Sequence, residues 1–128
     1  MLIVVDPSSG VPVFRQVMDQ VRFHIASGLL EAGDELPPTR ALSAELGVNP
    51  MTISKAYNLL ERDGVLERRP GRPLVVKAFD SATLELQKID QLRANLADAV
   101  RAAKQLGIDP DEAIRVFHDL LDNQEKED

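Results

Sequence analysis

The feature that most constrains this chain is a pair of short helical segments separated by a tight turn. Leu42 and Leu46 lie at helical spacing in the first segment, and Gly47 ends it because glycine tolerates a left-handed turn. Asn49 and Pro50 follow at once, a capping side chain and a residue whose fixed φ suits a first helical turn. The pattern predicts two helices that meet sharply, the first capped by Thr39 and the second by Asn49.

A basic hairpin is expected directly after the second helix. The apolar residues of that helix predict an inward face made of Ile53, Ala56, Leu59 and Leu60, and Gly64 ends the helix. Two short strands are predicted at residues 65–68 and 74–77, joined by a turn rich in proline, glycine and arginine. Helix, turn, helix and basic hairpin in this order are typical of a winged helix-turn-helix.

The segment before these helices is predicted to contain a strand, a turn and a further helix. Residues 2–5 are a β-branched run followed by a turn at residues 6–10. The helix then begins near Pro12 and ends at Gly28. Residues 34–38 are expected to be a loop. The helix presents one buried face, formed by Phe14, Val17, Val21 and Ile25.

Charge is distributed unevenly along the chain. The net charge is −6, and residues 80–128 account for all of it. Residues 36–79 instead hold seven bases and four acids, a net charge of +3. Those bases are Arg40, Lys55, Arg62, Arg68, Arg69, Arg72 and Lys77. Local basic charge matters more for phosphate contact than the total does, so nucleic acid stays a candidate partner.

The C-terminal region is predicted to form two amphipathic helices. The first covers residues 82–106 and ends at Gly107, and the second begins at Asp109 and Pro110, with residues 124–128 as a frayed tail. So few residues cannot enclose a core of their own, which predicts burial against the same helices of a second copy. The residues expected at this dimer interface are Ile89, Leu92, Leu96, Ala99, Ala103, Phe117, Leu120 and Leu121.

The predicted fold is therefore mainly α with a small β-wing: a winged helix-turn-helix at residues 1–79 and a two-helix hairpin at residues 80–128. The lack of cysteine excludes disulfides and thiolate metal sites. We expect no cofactor and no metal, because capping explains the acids around Pro110. With no membrane segment and no signal peptide in the sequence, we expect a cytoplasmic protein.

Several motifs resemble the GntR family of bacterial regulators. They are Pro-Val-Phe-Arg-Gln-Val (residues 12–17), Ile-Ala-Ser-Gly (25–28), Gly-Asp-Glu-Leu-Pro (33–37), Arg-Ala-Leu-Ser-Ala-Glu-Leu-Gly-Val (40–48) and Leu-Glu-Arg-Asp-Gly-Val-Leu-Glu-Arg-Arg (60–69). Two further segments look like the YtrA-type subfamily: Asp-Pro-Ser-Ser-Gly (6–10) and Asn-Pro-Met-Thr-Ile-Ser-Lys-Ala-Tyr (49–57). Two departures are Met51, where a polar residue is common, and Gly71-Arg72-Pro73-Leu74, where the family often has Gly-x-Gly-Thr.

The resemblance implies double-stranded DNA as partner, repression as the usual outcome, and a homodimer on an inverted repeat. The start of the second helix is expected in the major groove, with Arg40 on the DNA backbone or a guanine and the wing at the minor groove. The residues predicted to contact DNA are Arg40, Asn49, Met51, Thr52, Ser54, Lys55, Asn58, Arg69, Gly71 and Arg72.

Other classes of function are weaker candidates. An enzyme would need a catalytic constellation, and no Ser/His/acid arrangement or phosphate-binding glycine loop is present. A winged-helix protein-interaction module without DNA binding would have an uncharged or acidic wing, whereas this wing is basic. An unidentified small-molecule effector between the helices of a dimer, or between them and the DNA-binding domain, remains open.

Overall fold

The computed structural model describes the backbone of residues 3–127 and the side chains of residues 3–123. In chain order the elements are α1 (Val13–Ala26), α2 (Thr39–Leu46), α3 (Pro50–Arg62), β1 (Leu66–Glu67), β2 (Val75–Val76), α4 (Ser81–Gln105) and α5 (Pro110–Glu127). They form two compact units, of which the first ends at Gln91 and the second begins at Leu92. The predicted class, mainly α with a small β-wing, is confirmed.

The core of the first unit is built around α3. Helices α1 and α2 both pack on α3, and β1 packs on it as well. Val17, Val21, Leu42, Ile53 and Leu60 have no exposed surface, and burying a side chain of this size stabilises a fold by about 1.5–3 kcal/mol. The predicted inward face of α3 is confirmed at three positions. At Leu59 it is wrong, because Leu59 is half-buried while Tyr57 takes the interior position.

The wing is an antiparallel hairpin with Leu66 opposite Val76 and Glu67 opposite Val75. Its strands are shorter than predicted. The expected loop at residues 34–38 adds pairing on the other side of β2, with a bridge between Glu35 and Val75. The Leu36 amide donates to the Leu74 carbonyl at 2.8 Å. The wing is thereby joined to the chain that leads into α2, which local sequence pattern did not reveal.

The strand predicted at residues 2–5 is wrong for residues 3–5, and residue 2 lies outside the described residues. The extended segment pairs with glutamine side chains of α1 instead of with a strand. The Val4 amide donates to Gln20 Oε1 at 2.9 Å, and Gln20 Nε2 donates to the Val4 carbonyl at 2.6 Å. Gln16 Oε1 accepts from the Asp6 amide at 2.7 Å. A β-branched run predicts extended backbone but not its partner.

The helix ends confirm some of the predicted caps and contradict others. Asn49 is the α3 cap, accepting from the Met51 amide at 2.8 Å, as predicted. Thr39 is not a cap: it is the first residue of α2, and Pro38 precedes it without a side-chain bond. Asp80 accepts from the Thr83 amide at 2.8 Å, a cap of α4 that the sequence analysis missed. The frayed tail is also wrong, because α5 continues to Glu127; residue 128 lies outside the described part.

The second unit contains the end of α4 and all of α5. Gly107 has φ +67°, and the Ile108 amide donates to the Ala103 carbonyl at 3.0 Å, confirming the predicted C-cap. Most apolar residues of α4 and α5 are exposed. Among the predicted interface residues, Leu96 and Ala103 are half-buried, and the exposed ones are Ile89, Leu92, Ala99, Phe117, Leu120 and Leu121. Among the described residues, no helix is long and apolar enough to span a membrane.

Candidate nucleic-acid interface

The side chains in the N-terminal half of α3 differ in how far they are exposed to solvent. Met51 is 77% exposed, while Thr52 and Ser54 are half-buried and offer hydroxyl groups beside it. The Asn49 cap uses its side-chain oxygen on the Met51 amide, so this side chain already has a structural role. The surface combines one long apolar side chain with short polar groups, a combination that can contact a thymine methyl and neighbouring phosphates or base edges.

Lys55 lies against α1. Its Nζ atom is 4.0 Å from the centroid of the Phe14 ring. A cation over an aromatic face at an exposed site is stabilised by about 0.5–1 kcal/mol. Lys55 remains exposed, so its ammonium group lies at the surface, but its position is set by α1, a contact that the spacing within α3 could not predict.

A cleft of 380 Å³ lies between α3, the wing and the start of α2. Five residues whose side chains carry hydrogen-bond donors line it: Thr39, Ser54, Asn58, Arg68 and Arg72. Proline and apolar side chains complete the lining, namely Pro37, Pro38, Pro73, Leu74 and Tyr57. Guanidinium and hydroxyl donors converging on one cleft are suited to a ligand rich in acceptor oxygens, such as a phosphate group.

Tyr57 fixes the wall of this cleft from inside the fold. Its hydroxyl donates to the Pro37 carbonyl at 2.8 Å, and its side chain is almost fully buried. Burial raises the pKa of Tyr57 well above its usual value, and the nearby Glu45 carboxylate raises it further. The phenol therefore stays a neutral donor at physiological pH. The bond joins α3 to the residues just before α2.

The arginines of the wing differ in their partners. Arg69 Nε is 2.9 Å from Glu67 Oε1, and Arg68 Nε is 3.1 Å from Glu61 Oε2 on α3. Within residues 3–123, Arg72 forms no ion pair, and neither does the exposed Arg40 at the second position of α2. Two of the three wing arginines are thus balanced by the protein's own carboxylates, while Arg72 and Arg40 are not.

The tip of the wing is a tight turn. Gly71 has φ +70°, a left-handed conformation that favours glycine, and the Arg72 amide donates to the Arg69 carbonyl at 3.2 Å. Pro73 follows and lines the cleft. Proline has no amide hydrogen, so at this position the wing offers a ring surface and the guanidinium of Arg72.

The structure places three of the sequence-predicted residues at the start of α3 and three more in the cleft. It also adds cleft residues that the sequence pattern did not predict. Ser54, Asn58 and Arg72 share the cleft, whereas Arg69 and Lys55 are engaged elsewhere. Thr39 and Arg68 line the cleft but were not predicted as site residues. Arg68 was visible only as part of the basic charge, because its position depends on where β1 returns beside α3.

A helix-turn-helix whose second helix, α3, exposes its N-terminal face beside a basic hairpin defines a winged-helix DNA-binding domain. Residues 14–76 match the family described as bacterial regulatory proteins, gntR family. The HTH-type transcriptional repressor YtrA of Bacillus subtilis (strain 168) is 32% identical over 108 residues, which cover 84% of this chain and 83% of that protein. The chain belongs to the GntR family, and within it is YtrA-like; it is a transcriptional regulator rather than an enzyme.

Solved structures show the same similarity. A GntR family transcriptional regulator from Listeria monocytogenes superposes with a TM-score of 0.73 at 27% identity, covering 90% of this chain and 98% of that one. The DNA-binding domain of AraR in complex with operator ORX1 has a TM-score of 0.51 at 26% identity, covering 59% of this chain and 94% of that one. The second match is a winged-helix domain determined on DNA.

Proposed function

We propose that this chain is a sequence-specific repressor that binds an inverted-repeat DNA operator as a homodimer. The observation that carries the proposal is the shared cleft, in which side chains of α3 and guanidinium groups of the wing converge on one exposed surface. A protein that used the same fold only to bind another protein would not need uncompensated arginine at the tip of the wing.

The start of α3 is assigned to the major groove. Met51 is placed to contact a thymine methyl, and Thr52 a base edge or a phosphate. Asn49 caps the helix through the Met51 amide, and the positive end of the α3 dipole favours a phosphate nearby. Ser54 and Asn58 face the cleft and are assigned to the backbone of the same half-site. Lys55 contributes positive charge beside Phe14.

The arginines outside α3 are assigned to the flanks of the half-site. Arg40, exposed and without an acidic partner within the described side chains, is assigned to the DNA backbone or a guanine. Arg72 and Gly71 are assigned to the minor groove or its phosphates, with Arg69 beside them. Recognition of DNA shape by the wing complements an α3 that carries no arginine before Arg62.

The homodimer is assigned to α4 and α5. Apolar side chains such as Leu92, Leu120 and Leu121 are about half exposed, and a second copy of the same helices provides a matching apolar surface. A two-fold dimer presents two α3 helices related by the same symmetry, so its operator is an inverted repeat. We propose the division at residues 79 and 80 as the functional boundary between DNA binding and dimerisation.

The names of similar proteins support repression as the direction of regulation and an operator as the partner. YtrA of Bacillus subtilis is named a transcriptional repressor, and the AraR domain was crystallised with its operator. A repressor of this kind acts where the DNA is, so we propose a cytoplasmic protein.

The test is fluorescence anisotropy with the DNA immediately upstream of the gene that encodes this chain, against a scrambled duplex, at several salt concentrations. We expect the native duplex to bind tightly and to stay bound at physiological salt, while binding of the scrambled duplex disappears. Equal binding of both duplexes that falls steeply with salt would show phosphate attraction alone and would contradict operator recognition.

A further inference from the structure

We propose that Glu61 limits the affinity of this chain for DNA by holding Arg68, and that a DNA phosphodiester in the cleft displaces Glu61 from Arg68. The inference deepens the proposed function and rests on it: it assigns an opposing role to an acidic residue of α3 and a phosphate contact to Arg68, which the sequence indicated only as part of the basic wing. The ligand is a phosphate group of the DNA backbone.

Arg68 lies between Glu61 and the cleft. Its Nε atom is 3.1 Å from Glu61 Oε2. The same side chain lines the cleft together with Arg72, Ser54 and Asn58. A phosphate in the cleft would meet Arg72, which has no ion pair within residues 3–123, and Arg68, which is already paired with a carboxylate.

The exchange is favourable because the protein's own pair is weak. The Arg68 side chain is 63% exposed and that of Glu61 is 33% exposed. Exposed ion pairs contribute little to stability, since solvent screens them and both long side chains lose freedom. A phosphodiester offers the guanidinium a fork-shaped pair of oxygens and is held at the same time by the other donors of the cleft.

Counting ions gives a specific signature. A protein cation that neutralises a DNA phosphate releases a condensed counterion, and each such contact steepens the salt dependence of binding by about 0.9. When Arg68 leaves Glu61 for a phosphate, the freed carboxylate attracts cations near the DNA and offsets part of this release. With Glu61→Gln, no carboxylate is freed, and the contact of Arg68 contributes its full release.

The contact carries no base information, because phosphate contacts position a protein without identifying the sequence. Removing the competition should therefore strengthen binding to the operator and to a scrambled duplex by the same factor. Glu61 then limits affinity for all DNA, including the large excess of non-specific sites that any regulator meets.

The experiment is a double-mutant cycle of Glu61→Gln and Arg68→Gln, measured by anisotropy on the upstream duplex and on its scrambled control at several salt concentrations. We expect Glu61→Gln to tighten binding to both duplexes by up to about fivefold at low salt and to steepen the slope by up to about 0.9. In the Arg68→Gln background, Glu61→Gln should leave the slope unchanged. Glu85→Gln is the matched control, since Glu85 also forms an exposed pair, with Lys88 at 3.2 Å on α4.

Three outcomes overturn the inference. The first is an unchanged affinity and slope for Glu61→Gln on both duplexes. The second is an equal gain in the Arg68→Gln background or with Glu85→Gln, which would show a general effect of charge. The third is that inorganic phosphate competes with DNA for the wild-type protein but no longer competes for Arg68→Gln. That result would assign the cleft to a free phosphate ligand.

These outcomes separate the inference from the proposed function. Loss of discrimination between the two duplexes contradicts operator recognition, yet the cycle on the scrambled duplex still tests the competition for Arg68. If every variant still discriminates between the two duplexes but Glu61→Gln changes neither affinity nor slope, the repressor proposal stands and this inference is wrong. Absence of binding by every variant to both duplexes contradicts both.

Discussion

Single residues position the candidate interface from within the fold. Tyr57 is the clearest case: it is the only tyrosine of the chain, lies almost fully buried and donates to the Pro37 carbonyl at 2.8 Å. The bond connects α3 to the start of α2, where Thr39 and Arg40 lie.

Tyr57→Phe should lower the free energy of unfolding by about 1 kcal/mol near neutral pH, because the Pro37 carbonyl loses its donor. Burial raises the pKa of Tyr57 in the folded state, whereas an unfolded tyrosine ionises near pH ~10. Wild-type stability should therefore be complete below pH ~10 and fall above it, by about 1.4 kcal/mol at pH ~11 from this residue. Urea unfolding at the two pH values measures both effects.

The sign of the pH effect is the control. The Phe variant lacks the phenol, so the difference between wild type and variant should shrink as the pH rises from neutral to alkaline, while titrating lysines affect both proteins alike. A difference that stays constant or grows over this range would contradict a buried, neutral phenol.

Asn49→Ala should destabilise the fold by about 1 kcal/mol, because the Met51 amide loses its acceptor and α3 loses its only side-chain cap. Asn58→Ala, an exposed change within the same helix, should leave stability nearly unchanged or raise it slightly, since alanine favours helix. Thermal unfolding of both variants measures the difference. Equal destabilisation would mean that the cap is not what makes Asn49 important for α3.

At the scale of elements, the interface depends on segments that are joined across long stretches of sequence. The extended segment at residues 3–6 is attached to α1 through Gln16 and Gln20, and the wing is attached to residues 33–36 through β2. Each attachment uses hydrogen bonds with identified donors, so each can be tested separately.

Gln20→Ala should raise hydrogen exchange at the Val4 amide by about fivefold, the loss expected for a bond that contributes about 1 kcal/mol. Exchange at the Asp6 amide should change little. Gln16→Ala is the reciprocal control, since it removes the acceptor of Asp6 and leaves that of Val4. Exchange followed by NMR would contradict this arrangement if both amides responded equally to either variant.

Arg72→Ala should weaken DNA binding about tenfold and reduce the salt slope by about 0.9, because the wing loses a cation that no acid within residues 3–123 balances. Arg40→Ala should weaken binding as well. Lys88→Ala, on α4, should have little effect, since Lys88 pairs with Glu85. Anisotropy with one duplex compares the three variants. Equal affinities would contradict the placement of Arg40 and Arg72 at the interface.

At the scale of the whole molecule, charge and apolar surface are segregated along the chain. Residues 36–79 are net basic, while residues 80–128 carry the net charge of −6 and expose most of their large apolar side chains. The acidic region would repel DNA and so favour approach by the basic one. Its exposed apolar side chains fit association with a second copy.

Leu92→Glu should shift the chain toward monomer at micromolar concentration, because it places a charge among the apolar side chains assigned to the dimer. Ala97→Glu is the matched control: it introduces the same side chain at an exposed position about 140° around α4. Sedimentation equilibrium distinguishes monomer from dimer. A wild-type monomer under these conditions would refute the homodimer, and equal effects of both variants would place the interface elsewhere.

The sequence by itself determined the elements whose signals are local. The Asn49 cap, the left-handed turns at Gly47 and Gly107 and the helical spacing of the α1 and α3 cores involve neighbours within a few residues, so the printed order of residues specifies them. The basic hairpin after α3 was visible for the same reason. These features were enough to define a winged helix-turn-helix and to indicate DNA as its partner.

Only the tertiary structure decided which of these side chains meet. The Tyr57–Pro37 bond joins residues 20 apart, the Arg68–Glu61 pair joins a wing to a helix, and Lys55 lies over Phe14 from another element. Such contacts depend on how helices and strands pack, which periodicity does not specify. The same reason explains why residues 3–5 form no strand: their partners are glutamine side chains that the fold of α1 brings alongside.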